Sequence, residues 1–102
     1  MKKTLIGLSL VAAASAVPAM ADTAALAQMK GCMACHQIEM KIVGPSYKDV
    51  AAKYKGDAGA VEALATKVKA GGVGVWGQIP MPPNAHVSDE EAKQLVEWVL
   101  TH

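Results

Sequence analysis

The segment GCMACH, residues 31–36, constrains this 102-residue chain more than any other. On one helical turn Cys32 and Cys35 lie three residues apart and project to the same side of the backbone. His36 follows at once, so a ring anchored by both sulfurs would rest against its imidazole. C-x-x-C-H is the spacing of c-type haem attachment, in which two thiols bond the porphyrin and the histidine ligates iron. A C-x-x-C pair also serves thiol–disulfide exchange, and Cys/His clusters bind zinc. A structural zinc site takes four protein ligands, whereas the chain has no third cysteine. Its other histidines, His86 and His102, lack the spacing of a second ligand pair. A thioredoxin-like domain needs strands around its motif, and strand patterning is scarce here.

The N-terminus reads as an address. Lys2 and Lys3 form a basic region, Leu5 to Val17 an apolar run, and Ala19-Met-Ala21 a small-x-small cleavage site. The run is too short for a spanning helix, which needs ~20 residues. The expectation is a cleaved signal peptide over 1–21, export to the periplasm, no membrane anchor after cleavage, and a single domain over 22–102. Cleavage removes two of ten lysines and no acid, leaving eight lysines, no arginine and nine acids. That net charge of −1 offers no basic stripe for nucleic acid. Export also makes free thiols unlikely to persist unless something consumes them, as thioether bonds would. The remaining 81 residues carry two Trp, two Tyr and no Phe, little material for a core. Domains this small commonly need a staple, and a large apolar cofactor would serve as one. The protein without it is expected to be poorly folded.

The patterning is helical. Asp22 or Thr23 can cap a first helix through Ala25, Leu26 and Met29 into the Cys32–His36 turn. Ser46 and Asp49 form an S-x-x-D start, followed by Tyr47, Val50, Ala51 and Tyr54 at i, i+3, i+4 and i+7. Asp57 precedes a third helix with Val61, Leu64, Ala65 and Val68 on one face, closed by Gly71 and Gly72. Ser88 and Glu91 make a capping box for a last helix whose core face is Ala92, Leu95, Val96 and Val99. Between the last two lies GGVGVWGQIPMPPNAHV, which is too rich in Gly and Pro to be helical. A loop this long in so small a domain is functional or disordered, and Trp76, Ile79 and Met81 argue against disorder.

A histidine-ligated iron has a second face to fill. Met33 lies in the attachment turn, and Met29 and Met40 are close to it in sequence. Met81 is distant, and Pro80, Pro82 and Pro83 fix the backbone around it, so its thioether is presented with little entropy to lose. Met81 is therefore the expected sixth ligand. An ordinary core methionine is the plain alternative, and His86 the runner-up ligand.

Taken together, GCMACH, VGPSYKDVAAKY, GVWGQIPMPPN and SDEEAKQLVEWVL resemble the cytochrome c-551 family of small bacterial class I cytochromes c, over essentially all of residues 22–102. The resemblance implies an all-α class I cytochrome c fold, about four helices wrapped around one covalently bound haem c, with His36 proximal and Met81 distal. It implies that Pro45 offers its carbonyl to the His36 ring N–H, that the Trp76 indole meets a haem propionate, and that Asn84 bonds near the methionine sulfur. Gln78 stands where the family often has proline. Lys67 stands where it often has an arginine near a propionate, keeping the cation but losing the bidentate fork.

The same resemblance implies a monomeric, non-enzymatic one-electron carrier. Gly31, Met33, Ala34, Ile42, Ile79, Pro80, Pro82 and Pro83 match the family's apolar docking rim at the haem edge. The implied acceptor is periplasmic nitrite reductase and the implied donor quinol–cytochrome c reductase, with a terminal oxidase or cytochrome c peroxidase as alternative acceptors. A haem enzyme or gas sensor would require Met81 to leave the iron.

Overall fold

The computed structural model describes residues 19–102. Among these residues there are four α-helices: α1 (Ala19–Met29), α2 (Tyr47–Lys53), α3 (Ala60–Ala70) and α4 (Asp89–Val99), with a 3-10 turn over Cys32–Ala34. Among the described residues, β pairing is limited to two isolated bridges, His36 with Lys41 and Gly72 with Met81. The all-α expectation holds. Residues 1–18 of the expected signal peptide lie outside the described residues.

α4 is the spine, and α1, α2 and α3 each pack against it. Its start is fixed by the expected capping box: the Ser88 hydroxyl accepts from the Glu91 amide, and Glu91 Oε1 accepts from the Ser88 amide. Ala92, Leu95, Val96 and Trp98 are buried along its inner face, each larger one adding about 1.5–3 kcal/mol relative to exposure. α2 starts at the Ser46 cap, whose hydroxyl accepts from the Asp49 amide, and buries Tyr47 and Val50. α3 ends where Gly71 takes φ +78°.

α1 departs from expectation. Neither Asp22 nor Thr23 caps it, since the helix begins at Ala19 and puts Asp22 in its first turn. Alanine and methionine at 19–21 are strong helix formers, so nothing stops the helix at Ala21. The buried Thr23 hydroxyl instead accepts from Gln94 Nε2 of α4 at 2.9 Å. At α3, Asp57 caps the preceding turn, with its Oδ1 accepting from the Gly59 amide, and the helix proper starts at Ala60.

Candidate functional site

Gly31, at φ +84°, turns the chain out of α1 and into the 3-10 turn that carries both cysteines. The amides of Cys35 and His36 both donate to the Cys32 carbonyl, at 3.2 and 3.1 Å. That double bond to one acceptor holds the two half-buried thiols and the imidazole on a single tight turn. Burial pushes the Cys32 thiol above its ordinary range, against a smaller lowering by a backbone hydrogen bond. A redox-active C-x-x-C pair needs the opposite, a thiol made acidic by its surroundings.

Three neighbours fix the His36 ring. Its Nδ1 lies 2.8 Å from the Pro45 carbonyl oxygen. A carbonyl only accepts, so Nδ1 carries the hydrogen and Nε2 keeps its lone pair. The ring stacks on Tyr47, centroids 5.1 Å apart and planes 22° from parallel. Gly44 closes the third side: a Cβ there would stand 2.5 Å from His36 Cε1, so only glycine fits. The Gly44 amide donates to the Cys35 carbonyl at 2.7 Å, tying this loop back to the attachment turn. The same burial that seats Tyr47, followed by the neighbouring cysteines, raises its phenol far above the ordinary value, so it stays protonated.

The opposite wall is the long Gly/Pro loop. Gly72 and Met81 exchange backbone hydrogen bonds at 3.0 and 2.8 Å, closing residues 73–80 into a lobe. A side chain at Gly71 would meet the Met81 carbonyl at 2.6 Å, so glycine is required there for space as well as for its φ. Asn84 anchors the far end: its amide Nδ2 donates to the carbonyls of Val68 and Pro82 at 2.9 and 3.2 Å.

Between the walls lies a cleft of about 1110 Å³, counting the part open to solvent. Cys32, Cys35, His36, Pro45, Lys67, Trp76 and Met81 all line it. Leu64 and Val68 of α3 and Leu95, Val96 and Val99 of α4 form its floor, so the helices turn much of their apolar faces to the cleft. Among the described residues no Asp or Glu lines it, and Lys67 is the single charged side chain there. Lys53 stands near Trp76, with Nζ 5.8 Å from the ring centroid.

The other candidates fall elsewhere. Asn84 is not in the cleft wall, and both its amide hydrogens go to backbone carbonyls. His86 is outside the cleft and its Nε2 bonds the Lys30 carbonyl, so the runner-up ligand is engaged away from the site. Met29 and Met40 are strongly exposed, and Met33 packs against the core. Gln78 is exposed. The pattern of residues did not announce Gly44, Tyr47 or Gly72 as part of the site. A Gly-Pro pair such as 44–45 is a general turn signal and carries no information about a ring to be accommodated.

The chemistry of this donor set fits a haem. Two thiols at one edge, an imidazole with a free Nε2 lone pair and a thioether share one apolar cleft, and one cation stands at its wall to meet carboxylates.

Comparison with known proteins agrees. Residues 20–102 match the cytochrome c family. The chain is 64% identical over 75 residues to a cytochrome c-551 of Allochromatium vinosum, covering 74% of this chain and 80% of that one. It is also 64% identical over 77 residues to a cytochrome c-551 of Azotobacter vinelandii, covering 76% and 93%. The crystal structure of wild-type Nitrosomonas europaea cytochrome c552 superposes with a TM-score of 0.75 at 58% identity, covering 76% of this chain and 96% of that one.

Proposed function

The chain belongs to the cytochrome c family, among the small monohaem electron carriers of the c-551 group, and from that premise we propose that it is a periplasmic carrier whose iron is held by His36 and Met81. Cys32 and Cys35 form the thioether links to the single haem c. The observation that carries the ligand assignment is that His36 and Met81 line one apolar cleft with both cysteines at its edge. When bound, the haem supplies one-electron exchange between ferrous and ferric iron.

The protein's own residues do the rest. The Pro45 carbonyl fixes the His36 tautomer and strengthens its donation through Nε2. The proline-flanked loop and the Gly72 bridge hold the Met81 thioether in place. Leu64, Val68, Leu95 and Val96 exclude water, while Lys67 and Trp76 serve the propionate side. With His36 and Met81 both holding the iron, no position on it would be left for a substrate, which supports a carrier and not an enzyme. A methionine ligand also raises the potential relative to a second histidine.

Exchange with partners takes place on the apolar rim. Gly31, Ala34, Ile42, Ile79, Pro80, Pro82 and Pro83 are exposed, and Met33 is half-buried beside them. A small patch of this kind suits brief docking by a monomer. The resemblance supports nitrite reductase as acceptor and quinol–cytochrome c reductase as donor. It also supports removal of residues 1–21 on export, which would leave Asp22 as the first residue of the mature protein.

The test is the visible spectrum of haem-matured protein, oxidised and then reduced. The expected result is a c-type reduced spectrum and, when oxidised, the weak red sulfur-to-iron band. Replacing Met81 by Ala should remove that band and let the ferrous protein bind carbon monoxide. A band that survives in Met81→Ala overturns the ligand assignment.

A further inference from the structure

His86 and Lys30, 56 positions apart, grip each other twice. His86 Nε2 lies 2.9 Å from the Lys30 carbonyl oxygen, and Lys30 Nζ donates to the His86 carbonyl at 3.3 Å. Since the Lys30 carbonyl only accepts, Nε2 is the donor. Lys30 follows the last residue of α1, so its carbonyl is one of the acceptors a helix leaves unsatisfied at its C-terminal end. Lys30 Nζ also lies 3.4 Å from Glu91 Oε1, which links the pair to the start of α4.

The position of this clasp gives it a consequence. Lys30 is two residues before Cys32, and His86 is five residues after Met81. The other ties of the Met81 loop run to the end of α3 through Gly72, Val68 and Lys69. Among the described residues, the only hydrogen bonds joining residues 71–87 to residues 30–45 are the two between His86 and Lys30.

We propose that His86 is a positioning residue that keeps Met81 on the iron by clasping the distal loop to the attachment segment. The inference rests on ligation by Met81, proposed above. Displacement of Met81 requires the loop to swing away from the cleft, and a swing that parts His86 from Lys30 loses the clasp. One net hydrogen bond then changes the opening equilibrium by about 2- to 12-fold. An added ligand binds only the opened form, so its apparent affinity rises with the opened fraction.

The experiment titrates imidazole onto ferric, haem-loaded protein and follows the shift of the main haem absorption band, together with loss of the red sulfur band where Met81 is present. His86→Ala is expected to raise the apparent affinity about 2- to 12-fold. His86→Gln, whose amide N–H can reach the same carbonyl, is expected to return it toward the parent value. In a Met81→Ala background, where no thioether has to leave, His86→Ala is expected to change nothing. Equal affinities for parent and His86→Ala overturn the proposal, and so does an effect that persists without Met81. A parent protein with no red band overturns the ligand assignment itself, an outcome distinct from a parent that has the band and a His86 variant that leaves the affinity alone.

Discussion

At the scale of single residues, the His36 ring is boxed by groups that leave it one orientation: the Pro45 carbonyl on Nδ1, the Tyr47 ring on one face and the backbone of Gly44 at its edge. Gly44→Ala should force the imidazole or the 42–45 loop to move, since 2.5 Å is far inside van der Waals contact. The expected outcome is a loss of about 1–3 kcal/mol of stability by overpacking and a raised iron potential as the Pro45 bond lengthens and the imidazole donates less. Denaturant melts and redox titration check both, and a variant matching the parent in each would mean that the ring has room to spare. Much at this scale was legible in the sequence. C-x-x-C-H marked Cys32, Cys35 and His36, three prolines marked Met81 among the four methionines of residues 22–102, and all four marked residues line the cleft. Gly44 was not legible, because the need for glycine there comes from a ring eight residues away. Periodicity put Tyr47 on a core face without showing that the core at that point is an imidazole.

Among the elements, α4 carries the most information in its first turn. Its capping box joins Ser88 to Glu91, and removing the hydroxyl by Ser88→Ala should cost about 0.5–2 kcal/mol. The Ser88 backbone N–H, and after it Lys30, hold the Glu91 carboxyl below its ordinary value. Lys69 does the same for Asp89, through a side-chain hydrogen bond. A carboxylate whose folded value is depressed stabilises the fold above its unfolded value, and that contribution is lost as pH falls through the folded one. Melting temperature should therefore drop below about pH 4, with a shallower acid slope in Glu91→Gln than in the parent. A parallel slope would assign the acid loss to other groups. The starts of α2 and α4 were legible because their caps are local, three residues from hydroxyl to amide. The start of α1 was not, because a helix continues upstream wherever the preceding residues permit it, whatever good cap lies inside.

For the molecule as a whole, the decisive fact is how much of the apolar surface of α3 and α4 is shared with the cleft. α3 buries only Ala60 and Ala65, while Leu64 and Val68 face the cleft, and Leu95, Val96 and Val99 of α4 contribute to the same floor. A haem in the cleft would complete the packing of these side chains on their cleft side, and protein matured without it loses those dispersion contacts. Haem-free protein, or the Cys32→Ala, Cys35→Ala double variant, is therefore expected to melt without a cooperative transition. Calorimetry that finds a sharp transition near the holoprotein midpoint would refute this. The scarcity of core-forming residues was visible in the sequence. The division of each helical face between core and cleft was not, since one 3.6-residue period serves both and only the packing angle of α3 on α4 decides between them.

The reciprocal Gly72–Met81 pair gives the distal side a built-in timer. Both amides are satisfied only while the lobe is closed, so a swing of the loop that frees the thioether would also bare two N–H groups to solvent at once. Deuterium would then enter Gly72 and Met81 together, at a pace set by how often that opening occurs. With Met81 ligated as proposed, its release from the iron would be recorded in isotope, readable in either oxidation state and without any colour change.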